Sequence, residues 1–233
     1  MFIANDENGN RISITDARYK KDEVYFCPIC KGKLQIKDGS VNASHFAHVS
    51  LEICDDFSND MSEWHLEWQK QFPMENREVI FDCEGEVHRA DVFVNDYIVE
   101  FQHSKISREE FNARNKFYRA LGYKVIWIID VINEYENGYL KCYEETYRYG
   151  NGGKYAWKYA WKFMQDWNPK IDKGIFVFVQ IEDSDFQEQD ASYIERITWV
   201  PMNYEHSDFK RFCTSYSITN LQELRVAMYN KKL

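Results

Sequence analysis

No stretch of the chain stays apolar for the ~18 residues that a membrane helix requires. The opening residues MFIANDENGN carry neither a basic segment nor an apolar one, so no secretory signal is read there and a cytoplasmic protein is expected. A disulfide framework is missing as well. Six cysteines in 233 residues are too few and too scattered, and in a reducing compartment they indicate a metal site plus ordinary buried thiols. Basic residues are outnumbered, 29 Lys and Arg against 38 Asp and Glu, for a net charge of −9. Phosphate contacts need cations to displace counterions, so any nucleic-acid surface must be local, on an acidic body. No repeat of solenoid period occurs. What is plentiful is aromatic: Phe, Trp and Tyr make up 17% of the chain, enough for a substantial core.

The pattern divides into three parts. Residues 1–60 are polar, rich in Cys and His, and hold short β-like runs (RISI, VYF, LQI), as expected of a small metal-stapled module. Residues 61–150 read helix, strand, strand, helix, strand. Residues 151–233 form an aromatic-rich accessory region with β-runs GIFVFVQI and YIERITWVPM and a closing helix. Within it, KYAWKYAWK would set Lys154, Lys158 and Lys162 on one helical face, which suits single-stranded nucleic acid or a plain solvent face.

The central part is the most legible. Ser62 is a plausible N-cap for SEWHLEWQKQF, with Trp64 and Trp68 at i,i+4. Ser107 and Glu110 form a capping-box pattern ahead of the next helix, Gly122 is placed to end it, and KVIWII reads as a strand buried on both faces. Between them, VHRADVFVNDYIVEFQHS predicts two strands joined by the two-residue turn Asn95-Asp96, a dipeptide that tolerates positive φ. That turn pairs residues whose numbers sum to 191, which sets Asp91 opposite Glu100 and Arg89 opposite Gln102. Like charges directly opposite are destabilising, so two facing carboxylates call for a cation. Mg²⁺, which takes oxygen ligands and retains waters, is the natural one. Gln102, one pleat along, could orient an attacking water. The bland alternative is a solvated sheet face. His88 and His103 are expected to pack or hydrogen-bond at the sheet end.

A second constellation lies upstream. CPIC supplies Cys27 and Cys30, HFAH supplies His45 and His48, and two short-spaced pairs of soft donors can close a tetrahedral Zn²⁺ site. The HxxH spacing is tighter than the usual Hx₃₋₅H, which leaves Cys54 as an alternative to one histidine.

The order helix, β-hairpin, helix, strand, with acids on the hairpin, resembles the PD-(D/E)xK nuclease superfamily. More closely, SEWHLEWQKQF, HRADV, VEFQHSKIS and KVIWIID resemble the competence protein CoiA-like nuclease family, in which a Cys/His-rich segment precedes the core. The resemblance implies an α/β (α+β) restriction-endonuclease-like core with a small N-terminal zinc module. It implies Asp91 and Glu100 as the metal-binding acids and Gln102 where most of the superfamily has Lys. Lysine offers a charge and glutamine only a dipole. His65, with Glu63 as runner-up, is the expected polar residue from the first helix. Lys105, Arg108, Arg114 and Lys116 are candidates for phosphate contacts. The implied function is a Mg²⁺- or Mn²⁺-dependent DNA endonuclease acting in DNA uptake, recombination or defence, on single-stranded, duplex or branched DNA and alongside a recombination or defence partner. The other expectation is a zinc-stapled DNA-binding or adaptor protein with a silent core.

Overall fold

Short alternating runs in the first part can bury only one face, and they pair into a small antiparallel sheet. The computed structural model describes residues 1–20, 22–39, 42–50, 54, 62–144, 154–157, 167, 171–181, 193–199 and 212–233. These fall into two units, Met1–Phe93 and Val94–Leu233.

In the first unit, β1 (Ile3–Asn5), β2 (Arg11–Ser13), β3 (Tyr25–Phe26), β4 (Lys33–Lys37) and β5 (His45–His48) form a sheet of order β2-β1-β3-β4-β5, with α1 (Ile14–Ala17) after β2. One face buries Phe2, Ala4, Tyr25, Leu34 and Phe46 against Leu66. Leu66 belongs to α2 (Glu63–Lys70), which starts as the sequence predicts: the Ser62 side chain accepts from His65 N. Capping of this kind satisfies one otherwise unpaired N–H and contributes about 1 kcal/mol. Trp64 and Trp68 lie with ring centroids 6.1 Å apart. β6 (Arg77–Cys83) and β7 (Glu86–Val94) then pair antiparallel, Val79 facing Ala90 and Phe81 facing His88.

The chain turns after Val94 through Asn95 and Asp96 and re-enters a strand at Tyr97. Asn95 has φ +54, the left-handed conformation that the Asn-Asp dipeptide tolerates.

In the second unit β8 (Tyr97–Gln102) and β9 (Lys124–Asp130) run parallel, Glu100 beside Trp127. Parallel pairing demands a crossover, and α3 (Arg108–Ala120) supplies it. Ser107 caps that helix by accepting from Glu110 N, and Gly122 ends it at φ +87. α3 packs on the Trp127 face: Phe111 stacks 4.9 Å from the Trp127 ring, and Asn115 accepts from its Nε1 at 3.1 Å. Residues of β8 and β9 are buried almost without exception, as an apolar strand covered on both faces must be.

After α4 (Ile132–Glu136) come β10 (Leu140–Glu144), β11 (Lys154–Trp157), β12 (Ile175–Gln180), β13 (Tyr193–Trp199), β14 (Phe212–Asn220) and α5 (Leu221–Tyr229). β12 lies parallel beside β9, and the sheet continues β13-β14-β11-β10. Lys154–Trp157 is strand, not helix, which corrects the helical reading of KYAWKYAWK over that part; Lys158 and Lys162 lie outside the described residues. β11 pairs with both β10 and β14, and pairing on both edges outweighs a helical spacing of like residues. No helix among the described residues is long and apolar enough to cross a membrane.

Candidate functional site

Two side chains of the first unit, both from α2, meet at Asp91. His65 Nε2 lies 3.0 Å from Asp91 Oδ1. Gln69, one helical turn further along α2, puts Nε2 3.1 Å from His65 Nε2 and 3.4 Å from the same Asp91 oxygen. All three are buried, Asp91 at 2% exposure, so the solvated-face alternative does not hold for it. Glu63, the runner-up on this helix, is exposed. Gln69 was missed from sequence, although its i+4 spacing from His65 places both on one helix face.

Glu78 was also missed. It sits on β6 between the registered pairs Arg77–Val92 and Val79–Ala90, at φ +44, a conformation rarely adopted by a side-chain-bearing residue. Its buried carboxylate accepts from Phe2 N at 2.6 Å and Ile3 N at 3.0 Å, with Arg89 Nε 3.6 Å away. Phe2 in turn packs edge-on against His65, ring centroids 5.6 Å apart. The start of β1 in the small sheet is thereby tied to the strand pair that carries Asp91. Glu78→Ala is expected to cost about 3–5 kcal/mol, because two backbone donors and a guanidinium lose a buried acceptor. Urea unfolding with an unchanged midpoint would show the tie to be unimportant.

In the second unit Glu100 is 0% exposed, and Arg114 Nη1 donates to its Oε2 at 2.6 Å. Arg114 Nη2 donates to Glu110 Oε1 at 2.6 Å. Arg114 is itself only 1% exposed, so it is removed from the phosphate-contact candidates. Its place on the inward face of α3 is the reason. Lys105 and Lys116 are exposed and Arg108 half-buried. Gln102 is buried, and its Nε2 donates to Ser104 O at 2.7 Å. His88 Nε2 lies 2.8 Å from Glu86 Oε1, and His103 Nδ1 lies 2.7 Å from Asp130 Oδ2.

The cysteine cluster is Cys27, Cys30, His48 and Cys54, whose ligand atoms all lie within 4.8 Å of one another. Cys27 Sγ and Cys54 Sγ are 3.6 Å apart, Cys30 Sγ and His48 Nε2 3.3 Å, and Cys54 Sγ and His48 Nε2 3.6 Å. Zn–S bonds of ~2.3 Å around a tetrahedral centre imply edges of roughly 3.8 Å, so donor type and spacing both fit zinc. The ligand set corrects the sequence reading: His45 is out and Cys54 is in. HFAH is strand β5, and residues three apart on a strand point to opposite faces. His48 pairs with Leu34 on the core face, whereas His45 pairs with Lys37 and its Nδ1 donates to Ala43 O at 2.8 Å. Gly32 completes the knuckle. Its N–H points to Cys30 Sγ at 3.4 Å, and an added Cβ would sit 3.2 Å from that sulfur.

The chain thus joins an α+β core, with acids buried on β7 and β8, to a preceding Cys₃His cluster that could hold zinc. The chain belongs to the CoiA-like family: residues 9–57 match the N-terminal domain of competence protein CoiA, and residues 62–149 match the CoiA nuclease-like domain. The second match opens at the Ser62 cap of α2. Over 51 residues the chain is 39% identical to competence protein CoiA of Bacillus subtilis (strain 168), a stretch covering 22% of this chain and 14% of that protein. The alignment therefore spans a small part of the relative's length. No solved structure matches the chain.

Proposed function

We propose that this chain is a metal-dependent DNA endonuclease that hydrolyses phosphodiester bonds during DNA uptake, recombination or defence against foreign DNA. The observation that carries the reading is the burial of two carboxylates, Asp91 and Glu100, on successive strands of a nuclease-like domain. Burying ionised acids is costly unless they are paired or bind a metal, and a chain that needed only a sheet would place apolar residues there.

The donors suit Mg²⁺ or Mn²⁺, being hard carboxylate oxygens with the Gln69 amide beside Asp91. Asp91 and Glu100 would hold the ion, which supplies Lewis-acid polarisation of a phosphoryl oxygen when bound. His65 and Gln69 fix the Asp91 carboxylate from α2. Gln102, with its amide nitrogen committed to Ser104 O, retains a carbonyl oxygen that can orient a water. Lys105 and Lys116 provide exposed cations for the DNA backbone. Cys27, Cys30, His48 and Cys54 hold a structural zinc with no open position.

A panel of single-stranded, duplex and branched DNA, incubated with EDTA and then with added Mg²⁺ or Mn²⁺, tests the reading. Cleavage is expected only with the divalent ion. DNA binding with no cleavage under any of these metals would favour the silent adaptor instead.

A further inference from the structure

Gln102 leaves a question that the proposed chemistry does not absorb. It shares the Glu100 face of β8, two residues and roughly 6.6 Å along the strand. A lysine there would stand beside the second acid as a positive charge, whereas the amide is neutral and its nitrogen turns back to Ser104 O.

A cation reaches Glu100 from another element. Arg114, on α3, donates Nη1 to Glu100 Oε2 at 2.6 Å, with both side chains 1% exposed. The guanidinium is held at a second corner by Glu110, and its Cζ lies 5.9 Å from the centre of the Trp127 ring. Trp127 is the residue beside Glu100 across the β8–β9 ladder. A fork held at two nitrogens over an aromatic ring is fixed in place, and arginine keeps its charge at any physiological pH.

We propose that Arg114 is a positioning residue that replaces the motif lysine, supplying the fixed charge beside the second acid and orienting Glu100 toward the divalent cation. The inference rests on the nuclease reading. It differs from a purely structural ion pair in one respect: the charge, and not the arginine itself, is what the site requires.

Moving the charge back tests this. Arg114→Gln keeps a donor for Glu100 and removes the charge. It is expected to weaken Mn²⁺ binding, measured by calorimetry, by about tenfold or more, and cleavage by roughly 10²-fold. Adding Gln102→Lys to that variant should recover most of both. Should Arg114→Gln fail to fold, Arg114→Lys keeps the charge without the fork, and Mn²⁺ affinity within about threefold of wild type is expected. The proposal is overturned if the Arg114→Gln/Gln102→Lys pair is no better than Arg114→Gln alone. It is equally overturned if Arg114→Gln binds Mn²⁺ like wild type, or if folded Arg114→Lys has lost Mn²⁺ binding. Asp91→Ala separates the two levels. Wild-type protein that neither cleaves DNA nor binds Mn²⁺ at a site lost in Asp91→Ala overturns the nuclease reading and this inference together. Intact wild-type binding without rescue overturns the role of Arg114 alone.

Discussion

Asp91→Asn is expected to reduce metal-dependent DNA cleavage on the order of 10³-fold or more while the protein stays folded. The substitution keeps the size of the side chain and an oxygen that can accept from His65 Nε2, now 3.0 Å from Oδ1. What disappears is the negative charge that a divalent cation needs. Stability should change by about 1–3 kcal/mol at most, since the buried donors of His65 and Gln69 keep an acceptor. Time courses on labelled DNA with Mg²⁺ and Mn²⁺, beside thermal melts of both proteins, provide the check. Wild-type cutting rates in Asp91→Asn would remove this acid from the chemistry and, with it, the metal reading.

Losing zinc is expected to be the largest effect on stability. Structural zinc contributes on the order of 10 kcal/mol of binding free energy in small metal-dependent modules. The first-unit sheet is built from strands of two to five residues, too short to persist unaided. Cys54→Ser should therefore lower the zinc content well below one per chain and depress the melting temperature by roughly 10 °C or more. His45→Ala, three residues from His48 and outside the cluster, should leave zinc in place. Acidification should act in the same direction as Cys54→Ser. In the metal-free protein burial pushes the Cys54 thiol up to about 12, and the neighbouring Cys27 and Cys30 push the same way. Zinc requires the thiolate, so binding must displace protons, and affinity should rise with pH and fall as the solution is made acidic. Metal analysis in which His45→Ala loses zinc and Cys54→Ser retains it would reverse the ligand assignment.

The Asp91–Gln69 and Glu100–Arg114 contacts show where reading by sequence ran out. Acids at 91 and 100 stand out because a carboxylate interrupts an apolar strand, a local contradiction visible in a single line of text. Gln69 and Glu78 produce no such contradiction, as a glutamine on a helix and a glutamate near a strand start are ordinary residues. Arg114 stood out only as a cation suited to phosphate, because its place in the sequence says nothing of which helix face turns inward.

Several features with a short-range cause were legible in the sequence of this protein. The Ser62 and Ser107 caps, the Asn95 turn, the Gly122 stop and the buried β9 strand each depend on a few neighbouring residues and the torsions they favour. The tertiary structure alone decided which distant residues meet. Strand alternation on β5 turned His48 toward the cysteines and His45 away, Cys54 completed the ligand set, and α3 carried Arg114 onto Glu100. Those outcomes depend on which faces the sheets bury, a property of the packed chain and not of any segment within it.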